Sequence, residues 1–113
     1  MTRTRKKSPP LPPLPASVFS VHGPIEVRVI DDLRDPADAT ERLFGYWDAF
    51  ARVISVRAGM HPTAMWLTLL HEATHADLSE IGVKLTEDQE EAVCERIASA
   101  RLAAMLAERG AVP

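Results

Sequence analysis

One cysteine among 113 residues is the first constraint. Cys94 has no partner for a disulfide or a Cys-x-x-Cys clasp, so the fold does not rely on covalent staples, and a reducing, cytoplasmic setting fits best. No apolar stretch approaches the roughly 20 residues that a membrane span needs. Charge of neither sign dominates: the net charge is −3, and nothing in it points to nucleic acid. No internal repeat is visible. At 46% hydrophobic residues, this length suits one small domain rather than two.

The chain does have four histidines, and two of them fall in His71-Glu72-Ala73-Thr74-His75. On an α-helix, positions i and i+4 lie on one face, one turn apart, so both imidazoles can bind one zinc ion. A glutamate at i+1 then points beside the metal, where it can take a proton from water. Pro62-Thr63 opens the helix, because proline lacks only an N–H that would have no partner in a first turn. From Ala64 no breaker intervenes until Gly82. Met65, Leu69 and Ala73 share one face, with Trp66 and Leu70 beside it, as in a buried helix. A buried histidine needs partners for its ring nitrogens, and a metal supplies one for both rings. The other reading of the pair is two histidines satisfied by hydrogen bonds alone.

Catalytic zinc sites take three protein ligands plus water, so a third is needed. No further histidine comes after His75 at short range, as a metzincin would require. The next stretch is acidic instead: Glu87-Asp88-Gln89-Glu90-Glu91, with Glu95, at the start of a second helix. Thr86 is its N-cap, with Gln89 completing a capping box. Glu87 and Asp88 are explained by the helix dipole. Glu90 shares a face with Val93, Cys94 and Ile97; Glu91 and Glu95 lie one turn apart beside that face. Val93, Ile97, Ala100 and Ala104 are expected to face the core, flanked by Cys94, Leu102 and Leu106.

The order His71-Glu72-x-x-His75, then Glu91-Ala92-Val93-Cys94-Glu95-Arg96-Ile97-Ala98, resembles the ImmA/IrrE-type zinc metallopeptidases, minimal gluzincins, and their small phage-encoded relatives. In that pattern a metal glutamate begins a helix of the form Glu-x-x-small-(Asp/Asn)-x-aromatic/aliphatic-Ala. The resemblance implies Glu91 as third ligand, ahead of Glu90. It also implies Cys94 as the small residue, Glu95 in the Asp/Asn place as an acid supporting the ligands, and Ile97-Ala98 as the packing pair. It covers about residues 23–106.

Residues 1–16 differ from the rest. Arg3, Arg5, Lys6 and Lys7 precede a segment carrying five of the nine prolines. The prolines break any apolar signal-peptide core. A disordered basic, proline-rich tail is expected, of polyproline II character, whose PxxP spacing would suit a docking partner. Its removal is expected to leave fold and metal intact.

Residues 17–113 form the expected domain. Ile25-Glu26-Val27-Arg28-Val29-Ile30 alternates like a half-buried strand, closed by Asp31-Asp32 and Asp35-Pro36 turns. Residues 37–43 read as a short helix. Residues 44–47 and 50–56 read as a hairpin around Asp48-Ala49. The fold is therefore α+β: a small antiparallel sheet of about three strands packed on the zinc-binding helix and a C-terminal helix. As the resemblance implies, an edge strand beside the metal holds the substrate extended, and residues 50–56 are the candidate.

The expected activity is zinc-dependent peptide hydrolysis, with Zn²⁺ on His71, His75 and Glu91 and with Glu72 as general base. Tyr46, His61 and His22 are candidate oxyanion donors, among which spacing does not choose. Asp77 or Glu95 would orient a ligand histidine. A peptide or protein is the expected substrate, with neither membrane nor nucleic acid as partner. The alternative is a catalytically inactive, zinc-stabilised binding or regulatory module of a phage or mobile element.

Overall fold

The computed structural model describes residues 11–109. The basic start of the expected tail and its first prolines lie outside them, as do residues 110–113. Six strands precede two helices: β1 (Ser17–Ser20), β2 (Gly23–Ile30), β3 (Arg34–Asp35), β4 (Asp38–Arg42), β5 (Gly45–Asp48), β6 (Val53–Arg57), α1 (Pro62–Glu80) and α2 (Glu87–Glu108). No helix among the described residues is long and apolar enough to cross a membrane.

The α+β class stands, with two corrections. Four strands, in the order β1-β2-β6-β5, make the main sheet, and it is mixed: β2 runs parallel to β6, while the other pairs are antiparallel. The chain achieves this by leaving β2 through a separate ribbon, β3-β4, before it returns. That ribbon replaces the short helix expected at residues 37–43. Asp35 and Asp38 explain why: their carboxylates accept from the amides of Ala37 and Thr40, closing turns that compete with a helix. The hairpin of β5 and β6 forms as expected, with Asp48 accepting from the amides of Phe50 and Ala51 in its loop.

Helix α1 lies between the sheet and α2. Leu69, Ala73 and Ala76 pack on Ile25, Ile54 and Val56 of the sheet, while Leu70 packs on Ala98 and Leu102 of α2. Full burial of one such leucine is worth roughly 1.5–3 kcal/mol. The helix starts at His61, whose Nδ1 accepts from the Thr63 amide at 3.1 Å. It ends where Gly82 takes φ +76°, letting the Val83 amide reach the Leu78 carbonyl at 3.0 Å. Thr86 and Gln89 form the capping box of α2.

The buried face of α2 is rotated by one residue from the expected one. Cys94, Ala98 and Leu102 are buried, whereas Ala100 and Ala104 are exposed and Ile97 is 40% exposed. Small Cys94 and Ala98, four residues apart, let α1 approach; the larger Ile97 does not. That rotation matters for the acids, because Glu90 lies one turn before Cys94 on the buried ridge and Glu91 stands beside it.

Residues 11–16, expected in the tail, lie against the domain instead. Leu11 and Leu14 pack on the two core clusters, and the Trp66 indole Nε1 donates to the Pro12 carbonyl at 2.7 Å.

Candidate metal centre

Helical spacing places the two imidazoles as the motif requires. The rings of His71 and His75 stand 4.9 Å apart, centre to centre, and their Nε2 atoms are 3.2 Å apart. Glu91 reaches both from α2, with Oε1 2.8 Å from His75 Nε2 and Oε2 3.2 Å from His71 Nε2. One ligand atom from each of the three residues lies within 4.8 Å of the others. Tetrahedral zinc with bonds of 2.0–2.1 Å has ligand atoms about 3.3 Å apart, so this triangle is the right size for one ion. Of the two glutamates left open by spacing alone, Glu91 is the one facing both Nε2 atoms.

Glu90 has a different place. Its Oε2 accepts from His75 Nδ1 at 2.6 Å. A ring that donates through Nδ1 keeps its Nε2 lone pair free, so Glu90 fixes the tautomer and the orientation that a metal ligand needs. The carboxylate that orients His75 is thus Glu90; no hydrogen bond from Asp77 or Glu95 to either histidine is found among the described residues. The sequence holds half of the signal, since helical spacing puts Glu90 on the face of Cys94. Only the pairing of α2 with α1 shows that it meets the back of His75.

Glu72 lines the cleft with all three. Its Oε2 is buried and has no hydrogen-bond partner. Burial, followed by the nearby Glu91 charge, raises the Glu72 pKa above the ordinary range, against the pull of His75 and His71. For His75, burial is the largest influence and lowers the pKa. The Glu90 hydrogen bond and the charges of Glu72, Glu91 and Glu90 together outweigh it, and the net shift is upward. Among the described residues, the charges that shift the two groups come from these glutamates and imidazoles themselves. Three carboxylates and two imidazoles therefore meet in one cleft, a donor set that would suit a divalent ion.

Cys94 is no ligand. Burial, then the neighbouring Glu90, Glu91 and Glu72, pushes its thiol up to about 11, and its neutral side chain belongs to the core.

The cleft around the cluster measures about 810 Å³ and lies between α1, α2 and the start of β5. Gly45 forms its strand side. A Cβ at Gly45 would come within 2.5 Å of Thr68 Cγ2 and 3.1 Å of Glu72 Cγ, so only glycine lets β5 approach α1 this closely. The expected edge strand is corrected here: β6 pairs on both sides, and β5 is the edge. The Arg57 amide donates to the Phe44 carbonyl at 2.8 Å. By the alternation of an antiparallel ladder, the main-chain groups of Gly45 and Trp47 then face away from β6, along the open edge.

Of the three candidate oxyanion donors, two are committed elsewhere. His61 caps α1, and His22 donates from Nε2 to the Glu80 carbonyl at 3.1 Å. Tyr46 stays near, lining a smaller cleft with Glu72, His75 and Glu90.

Compared with known proteins, the chain matches no family model, no curated protein and no solved structure.

Proposed function

We propose that this chain is a zinc-dependent peptidase in which His71, His75 and Glu91 hold the metal and Glu72 is the general base. The observation that carries the reading is the convergence of two Nε2 atoms and one carboxylate within 4.8 Å, beside a buried glutamate oxygen with no partner. When bound, zinc would lower the pKa of water toward about 7 and polarise a scissile carbonyl.

The protein groups do the rest. Glu90 holds His75 in the tautomer that presents Nε2. Glu72 takes the proton of the attacking water and passes it to the departing amine; burial of its carboxylate makes it a stronger base than an exposed glutamate. The outward main-chain groups of Gly45 and Trp47 offer an extended peptide a strand to pair with, beside Glu72. Tyr46 is the candidate donor to the oxyanion. The resemblance to ImmA/IrrE-type metallopeptidases supports the same assignment and suggests a protein of a phage or mobile element.

A zinc clamp without turnover would use the same ligands but would have no use for a buried, unpartnered Glu72. Glu72→Gln separates the two. One zinc per chain should remain, while peptide hydrolysis falls by about 10²–10⁴-fold. Full turnover in the variant would remove Glu72 as base. A wild type that binds zinc and cleaves no peptide would leave the clamp.

A further inference from the structure

The metal cleft does not end at its ligands. From His75 and Glu91 it runs along the helix pair to Leu67 and Ser99. Its apolar lining includes Leu43, Phe44, Leu67 and Ala92, and its polar lining includes Glu95 and Arg96. Phe44 is 62% exposed and Leu67 is 37% exposed. Single exposed apolar side chains are ordinary on a protein surface. These two share one concavity with Glu72, and among the described residues both keep part of their surface exposed.

Phe44 is also held in place. The Arg57 guanidinium sits 4.4 Å from its ring centre, a cation–π contact that fixes the ring before anything binds. Leu67 stands one helical turn before His71. That is about 6 Å along the axis, within reach of a side chain next to a bond held at the ligands. Glu95 and Arg96 carry opposite charges, so the rim has no single sign with which to select a charged residue.

The geometry points to a substrate class: an extended peptide with a large apolar side chain adjacent to the scissile bond, selected by Phe44 and Leu67. This assignment rests on the peptidase reading and gives its cleft a specificity. A leucine or phenylalanine there covers apolar wall on entering. An aspartate would leave its charge facing that wall and the carboxylates of the metal site.

The test uses the zinc-loaded protein and four quenched fluorescent peptides that differ only in the central residue: Leu, Phe, Ala or Asp. The same peptides are titrated into Glu72→Gln protein to read binding apart from turnover. Leu and Phe should exceed Ala and Asp by about 10-fold or more in kcat/KM and in affinity. Phe44→Ser and Leu67→Ser alter exposed positions and should keep one zinc per chain while removing most of that preference. Equal turnover of all four peptides, or a preference that survives both substitutions, would overturn the assignment. If nothing is cleaved but Glu72→Gln protein still binds the Leu and Phe peptides preferentially, the peptidase reading falls and the apolar cleft stands. If binding does not discriminate either, both fall.

Discussion

Helix α1 carries two polar clusters, one in its middle and one at its end, and they differ in how their charged groups are arranged. At the end, Glu80 pairs with Arg52, whose guanidinium also donates to the Ser20 hydroxyl and the Gly23 carbonyl. His22 adds a bond to the Glu80 main chain. Acid and base match, and three parts of the chain are tied together. In the middle, Glu72, Glu90 and Glu91 meet two imidazoles, and among the described residues the charges that shift Glu72 and His75 come from within this group. Each cluster contains one buried carboxylate oxygen without a partner, so an unsatisfied atom alone does not mark a site. The convergence of Glu91 and two ring nitrogens at ligand distance separates them. A cluster that balances its own charge is explained by the fold; one that converges acids on ring nitrogens could hold a positive ligand.

The largest effects should break that comparison outright. His75→Ala and Glu91→Ala should each lower zinc from one per chain to none when purified beside the wild type, because two remaining ligands make a poor site. Arg52→Ala should do the reverse, lowering Tm with zinc content unchanged. Elemental analysis and thermal melts on the same samples read both. Zinc retained by Glu91→Ala, or lost from Arg52→Ala, would dissolve the distinction between the clusters. A step smaller is Glu90→Ala, which leaves the three ligands and removes the partner of His75 Nδ1. Zinc affinity measured by competition with a chelator should weaken by about 10–100-fold.

Acid sharpens the contrast from the other side. The Ser20 hydroxyl, then the bond and charge of Arg52, hold the Glu80 carboxyl below its usual range, against the opposing effect of burial. A carboxyl lowered in the folded state stabilises the fold above its ordinary pKa, and that contribution fades as pH falls through the lowered value. Melts of metal-free protein between about pH 7 and pH 3 should therefore fall more steeply in wild type than in Glu80→Gln. Parallel curves would show that the pair adds no pH dependence.

Much of the site is legible in the sequence because its determinants are local. His71, Glu72 and His75 sit at helical spacing within one turn, and Pro62, Gly82, Thr86 and Gln89 mark helix ends by short-range chemistry. Residues 25–30 and the hairpin after Phe44 are legible from alternation for the same reason. The features that escape are non-local. Which face α2 buries depends on how small Cys94 and Ala98 meet α1, and apolar periodicity alone favours Ile97. That β2 pairs in parallel with β6 depends on where the chain goes between them, and no pattern within either strand states it. The requirement for glycine at position 45 arises from Thr68 and Glu72, residues far along the chain. The family resemblance already favours Glu91 over Glu90, but that Glu91 faces both Nε2 atoms while Glu90 meets His75 Nδ1 shows only in the pairing of the helices, since the two differ by about 100° on one helix.

The smallest predicted effect tests a boundary that composition draws too late in the chain. Proline-rich residues before a domain read as a free tail, but Leu11, Leu14 and the Pro12 carbonyl are used by α1 and α2. Trp66→Phe removes the indole donor and keeps most of the ring, so it should cost about 1 kcal/mol in urea unfolding. Removal of residues 1–16 also strips two partly buried leucines and should cost about 2 kcal/mol, against the expectation that it changes nothing. Neither change touches the ligands, so zinc per chain should stay at one in both. Truncated protein with wild-type stability would return residues 11–16 to the tail. Loss of zinc on truncation would mean that the segment holds α1 and α2 in the register that brings Glu91 to the histidines.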